Sequence, residues 1–119
     1  MIETTILTYL KSALSNTEVL MELPEVPSED YPTFPEKLVI IELIGKSVEN
    51  RIQDASIALQ SYGPTLYEAA LLDEQVRQAM DVIADSTEIS GAHLASNYNF
   101  TDPETGRYRY QCVYEVFYV

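Results

Sequence analysis

The sequence predicts an α+β fold: an antiparallel or mixed sheet of about four to five strands, with two helices packed on one face. Three observations predict it. Two segments repeat apolar residues at helical spacing, one near Ile2 and one near Leu72. Other segments are continuously apolar or alternate apolar with polar, as strands do. Clusters of Gly, Pro, Asn and Asp separate them. The order is helix, strand, long loop, strand, strand, helix, strand, strand, in a single domain over residues 1–119.

Each element has its own justification. Ile2, Ile6, Leu10, Ala13 and Leu14 recur at helical spacing and with Leu7 predict an amphipathic helix over about residues 2–14. Glu18 to Leu23 predicts a short strand with Val19, Met21 and Leu23 on one face. PEVPSEDYPTFPEK follows. Pro24, Pro27, Pro32 and Pro35 preclude regular structure and leave a long acidic loop carrying Tyr31 and Phe34. Lys37 to Ile44, KLVIIELI, is nearly continuous in apolar residues, the pattern of a strand buried on both faces. GKSVEN then reads as a turn into a second strand, about Arg51 to Tyr62, where Ala55, Ile57 and Leu59 alternate with Asp54, Ser56 and Gln60.

Gly63-Pro64 breaks that strand. Thr65 and Glu68 are spaced as a capping box that opens a helix running to about Ala84. Ala69, Leu72, Val76, Ala79, Met80 and Ile83 form its buried stripe, with Asp73, Arg77 and Asp81 on the other side. Residues from about Ala92 to Val119 form a hairpin turning at Asp102-Pro103-Glu104-Thr105-Gly106. The implied register sets Asp102 opposite Arg107, Thr101 opposite Tyr108 and Phe100 opposite Arg109. Tyr108, Tyr110, Cys112, Tyr114, Val116 and Tyr118 then share one face. Val113, Phe117 and Val119 lie on the opposite one, which needs a second cover, either an internal helix or a neighbouring subunit. Two helices for one sheet leave that face hard to cover internally, which favours the subunit.

Charge limits the function classes. Nineteen Asp and Glu against seven Lys and Arg give a formal net charge of -12. Such a chain repels nucleic acid at long range. The single cysteine, Cys112, allows no internal disulfide and fits a reducing compartment. MIETTILTYLKSAL lacks the basic start and apolar run of a signal peptide, and no stretch suits a membrane span.

No catalytic, cofactor or metal set stands out. Gly45-Lys46-Ser47 lacks the earlier glycine of a phosphate loop, since that position is Ile40. A His93–Cys112 nucleophile pair is conceivable if both lie on the terminal hairpin, although a cysteine on an aromatic strand face is usually a buried hydrophobe, and a structural zinc site lacks ligands. The carboxylates match no calcium loop. Asn99-Phe100-Thr101 has the form of a glycosylation sequon and is read as chance. The candidate residues are therefore ones for protein contact. Tyr31 and Phe34 either anchor a partner or tuck onto their own domain. Arg107 and Arg109 are either solvated beside the turn or bind an acidic partner, with Arg109 placed to stack on Phe100.

Two stretches carry a family resemblance: ASIALQSYGPTLYEAALLDEQVRQAM, Ala55 to Met80, and LASNYNFTDPETGRYRYQCVYEV, Leu94 to Val116. With Gly45 to Arg51 they resemble small structural proteins of long-tailed bacteriophages and prophages of Gram-positive bacteria, often labelled minor capsid or tail-completion proteins. In size and element order the chain is similar to tail terminators. The resemblance implies a homo-oligomeric ring, a hexamer, that caps the tail tube and meets the head–tail connector proteins. DNA passes through its centre without specific binding. It implies assembly in the host cytoplasm, residence in the virion neck, and no enzymatic activity, cofactor or membrane. The alternatives are a head-side stopper or other minor capsid component and, in a different class, a monomeric acidic inhibitor that mimics DNA.

Overall fold

The computed structural model describes residues 1–119. Helix α1, Ile2–Ala13, buries Ile2, Ile6 and Leu10 as one stripe. Glu3 in its first turn and Lys11 in its last complement the helix dipole. Leu14 is extended and ends it, and Asn16, at φ 52°, redirects the chain. Strand β1 is only Glu18–Leu20, shorter than the expected Glu18–Leu23. Val19 is buried, but Met21 and Leu23 do not share its face; both are exposed. The chain leaves the sheet there to enter the loop of prolines, which lack the N–H a longer ladder needs.

Strands β2, Leu38–Glu49, and β3, Ile52–Gly63, form one long antiparallel hairpin. GKSVEN is not the turn. Gly45 lies in β2 at a bulge, where the register shifts between Leu43 and Gly45. The turn is Asn50-Arg51, both at positive φ (50° and 67°), the two-residue geometry that matches strand twist. Leu38 to Ile41 are all buried, as their continuous apolarity predicts: Val39 and Ile41 toward the helices, Leu38 and Ile40 away from them.

Helix α2, Leu66–Asp81, opens on the expected cap. The Glu68 N–H donates to Thr65 Oγ1 at 3.1 Å, and the Thr65 hydroxyl donates to the Glu68 carboxylate at 3.2 Å. Gly63 lets the helix start lie against the end of β3: a Cβ there would stand 2.5 Å from the Ala69 backbone nitrogen. Ala69, Leu72, Val76 and Met80 form the buried stripe, and Ile83 extends it through a 3-10 turn, Ile83–Asp85. One expectation fails here. Asp73 is buried rather than on the solvent side.

Strands β4, Gly91–Asn99, and β5, Tyr108–Tyr118, close the fold. The Asp102 N–H donates to the Arg107 carbonyl at 3.1 Å and the Phe100 N–H to the Arg109 carbonyl at 2.8 Å, the register the turn residues predict. Gly106 takes the positive φ, 72°. Bonds from the Glu104 N–H and the Thr105 hydroxyl hold the Asp102 carboxyl below its usual range.

The strand order is β1-β2-β3-β5-β4, antiparallel except for β1 beside β2. Both helices pack on one face, α1 toward β1 and β2, α2 toward β3 and β5. Val39, Ile41, Ala55, Ile57, Leu59, Cys112, Tyr114 and Val116 meet them in one core. Each fully buried aliphatic side chain there contributes about 1.5–3 kcal/mol. The aromatic strand β5 is interior to the sheet, and its Tyr114 is the largest fully buried side chain.

Candidate functional site

The face of the sheet away from the helices, the outer face, is the surface the fold leaves open. Alternation in β3 puts Asp54, Ser56, Ala58, Gln60 and Tyr62 there. Their cross-strand partners in β5 are Phe117, Glu115, Val113, Gln111 and Arg109. In β4, His93, Ser96 and Tyr98 face the same way.

The half nearest the Asp102 turn is covered by the proline-rich segment. Phe34 packs edge-on against Tyr62, ring centroids 5.6 Å apart, over a small cluster of Leu38, Ile40 and Leu20. The Arg107 guanidinium lies 4.0 Å from the Phe34 ring centroid. Arg109 lies 4.3 Å from the Phe100 ring centroid, the stacking its register predicts. It also donates to the Phe100 carbonyl at 2.6 Å and to the Tyr62 hydroxyl at 2.9 Å. Phe34 is therefore committed to its own domain. Tyr31 is tied down too: its hydroxyl donates to Glu18 Oε2 at 3.2 Å, and Ser28 closes a turn on its backbone. Desolvation and the Glu18 carboxylate push its phenol pKa up.

A polar belt crosses the middle. Gln60 Nε2 donates to Gln111 Oε1 at 3.0 Å, and Gln111 Nε2 donates to the Tyr98 hydroxyl. Beyond it the face is bare. Val113 and Phe117 are half-buried there, with no helix over them. His93 stands edge-on to Phe117 at 5.6 Å. The Ser56 hydroxyl donates to Glu115 Oε1 at 2.5 Å. Asp54 lies beside Glu115, and that neighbouring carboxyl, with desolvation, holds Asp54 above its usual range. Asp54 Oδ1 is shielded and has no partner. Val119 does not join Val113 and Phe117. It lies past the end of β5, 87% exposed, near Met1 and Lys46.

Among the seven sequence candidates, the structure brings Phe34, Arg107 and Arg109 together at one end of the face. Val113 and Phe117 lie on the other half. Tyr31 and Val119 stand apart. Asp54, Ser56, Glu115 and the Gln60–Gln111–Tyr98 belt escaped the sequence reading. Their signal was alternation within β3 and β5, which is informative only once those strands are known to pair.

The helix side offers structure rather than chemistry. Asp73 accepts from Arg77 Nε at 3.0 Å and from Asn97 Nδ2 at 3.0 Å, which explains its burial. The Asp73 contact in turn raises the Arg77 pKa. Tyr114 donates to Asp81 Oδ1 at 3.0 Å; burial and that carboxylate push its phenol up. Burial pushes the Cys112 thiol well above the usual range, so it carries no thiolate at neutral pH. Cys112 faces the helices and His93 the outer face, so the two form no nucleophile pair. No three His, Cys, Asp or Glu side chains gather as a metal set. No helix is long and apolar enough to cross a membrane. The largest recess, about 900 Å³, lies between α1 and the Asp85–Glu88 segment and is lined mainly by hydroxyls. No protein-family model matches the chain, and no curated protein matches it in sequence.

Proposed function

We propose that the chain is a structural virion protein of the tail-terminator kind. Copies form a hexameric ring that caps a finished tail tube, meets the head connector and lets DNA through its centre. The observation that carries this reading is the open outer face. Val113 and Phe117 are partly desolvated there and have no internal cover, whereas the helix side holds the one large packed core. A subunit that buries its second face against neighbours has this design. The likeness of Ala55–Met80 and Leu94–Val116 to phage tail-completion proteins supports the particular role. The net charge of -12 supports a wall along which DNA slides, because it neutralises no phosphates and releases no counterions. In this role the protein performs no catalysis. The test is to mix purified protein with tail tubes assembled without a terminator and image them. Rings at one end of the tubes are expected. Binding to isolated portal complexes and not to tubes would move the protein to the head side. Binding to neither would overturn the reading.

A further inference from the structure

We propose that the outer face docks on the same face of a second copy, antiparallel, so that the Arg107–Arg109 end of each chain lies on the Asp54–Glu115 end of the other. Four observations converge on it.

The first is an unmet demand for anions. In a chain with nineteen Asp and Glu, neither Arg107 nor Arg109 forms a close ion pair, although Arg109 feels the Asp102 carboxyl at longer range; the only ion pair is Arg77–Asp73. Both guanidinium groups are instead held in place by Phe34, Phe100 and Tyr62. Arginines pre-positioned on aromatic rings lose little freedom when a carboxylate arrives.

The second is the opposite demand at the other end. Asp54 and Glu115 lie side by side, each half-buried, with no cation in ion-pair range. The third is spacing. Arg109 and Glu115 are on one face of one strand, roughly 20 Å apart at the rise of a β-strand, so one chain cannot join them. Two chains stacked antiparallel can, and a two-fold axis passing between Gln111 and Val113 forms each contact twice.

The fourth is shape. The basic half of the face is raised by the proline-rich segment and Phe34, and the acidic half is bare. Antiparallel stacking sets the raised half of each copy over the bare half of the other and covers Phe117. The shared area, four strands wide and eight residues long, is roughly 500 Å² in flat projection. Side-chain relief brings it toward the ~800 Å² per partner of a specific interface.

The pairing uses the face on which the ring reading rests, so in any one copy that face serves either the two-fold pair or a ring neighbour, and the experiment separates the two. The test uses sedimentation of the full chain and three charge variants: Arg109→Glu, Glu115→Arg, and the two combined in one chain. The wild type is expected to self-associate, and more weakly as sodium chloride rises. Each single variant should associate at least tenfold more weakly. Their equimolar mixture, and the double variant alone, should regain association, because both restore opposite charges at every contact. A monomeric wild type, or salt-independent association, overturns the pairing even if a variant fails to fold. So do single variants that associate like wild type, or a folded mixture that regains nothing. Tail-tube capping by charge variants that behave like wild type would leave the ring reading standing while the pairing falls.

Discussion

Replacing Gly63 by alanine should loosen the joint between β3 and α2. The added methyl would stand 2.5 Å from the Ala69 nitrogen, 2.9 Å from the Glu68 carbonyl carbon and 3.0 Å from the Ala69 Cα. All three are backbone atoms, so no side chain can rotate away. Relief to ordinary contact needs a shift of about 0.9 Å in the first turn of α2. That turn is pinned by the Thr65 cap and by fully buried Ala69. Overpacking of this kind costs about 1–3 kcal/mol, and losing a glycine from the unfolded chain returns only about 0.5 kcal/mol. A net loss of about 1.5 kcal/mol should lower Tm by roughly 5–8 °C in a chain of this size. Gly45→Ala and Gly91→Ala are internal controls, because a Cβ at either meets nothing within 4 Å. Both should melt within a few degrees of wild type. Thermal denaturation by circular dichroism decides it. Equal melting of all three variants would refute the claim that close backbone approach requires Gly63.

Three further outcomes are expected. Arg51→Gly should stabilise the chain by about 0.5–1 kcal/mol, since Arg51 holds φ 67° in the β2–β3 turn; a lower denaturation midpoint would contradict that account. Phe34→Ala should cost about 2 kcal/mol of stability through lost packing on Tyr62, and an unchanged urea midpoint would mean the proline-rich segment is not docked. Asp54→Asn should change the dependence of Tm on pH. With its folded pKa raised by Glu115, Asp54 adds stability below the ordinary aspartate value, about 4, and loses it as pH rises through the raised value. The wild type should therefore lose more Tm than the variant between acid and neutral pH, and parallel profiles would count against the carboxyl pair.

Local features were legible in the sequence. Thr65 and Glu68 are three residues apart and cap the helix as their spacing predicts. The Asp102–Gly106 turn fixed its own register, and with it the placing of Arg109 on Phe100. Where a local signal pointed the wrong way, the reading failed. Gly45 looks like a turn residue but supplies a bulge, while Asn50-Arg51 makes the turn without a glycine. Asp73 has the spacing of a solvated helix charge, and nothing near it in sequence announces Asn97 on β4. The candidate site was the least legible part. Its acidic half exists only because β3 pairs with β5 across the whole of α2. Its aromatic half exists because Phe34 folds back onto Tyr62. Both are long-range contacts that no local pattern encodes.

The central claim is that a further copy of the chain covers the outer face. The most direct measurement is the sedimentation mass of the wild type from low to high micromolar concentration, beside that of Phe117→Ser. Phe117 is half-buried on the bare half of the face, so its replacement should leave the circular dichroism spectrum unchanged. The wild type should sediment as an oligomer well above the 13.5 kDa of one chain, and the variant should shift toward that monomer mass. A wild type of 13.5 kDa at every concentration, alone and with tail tubes, would contradict the account.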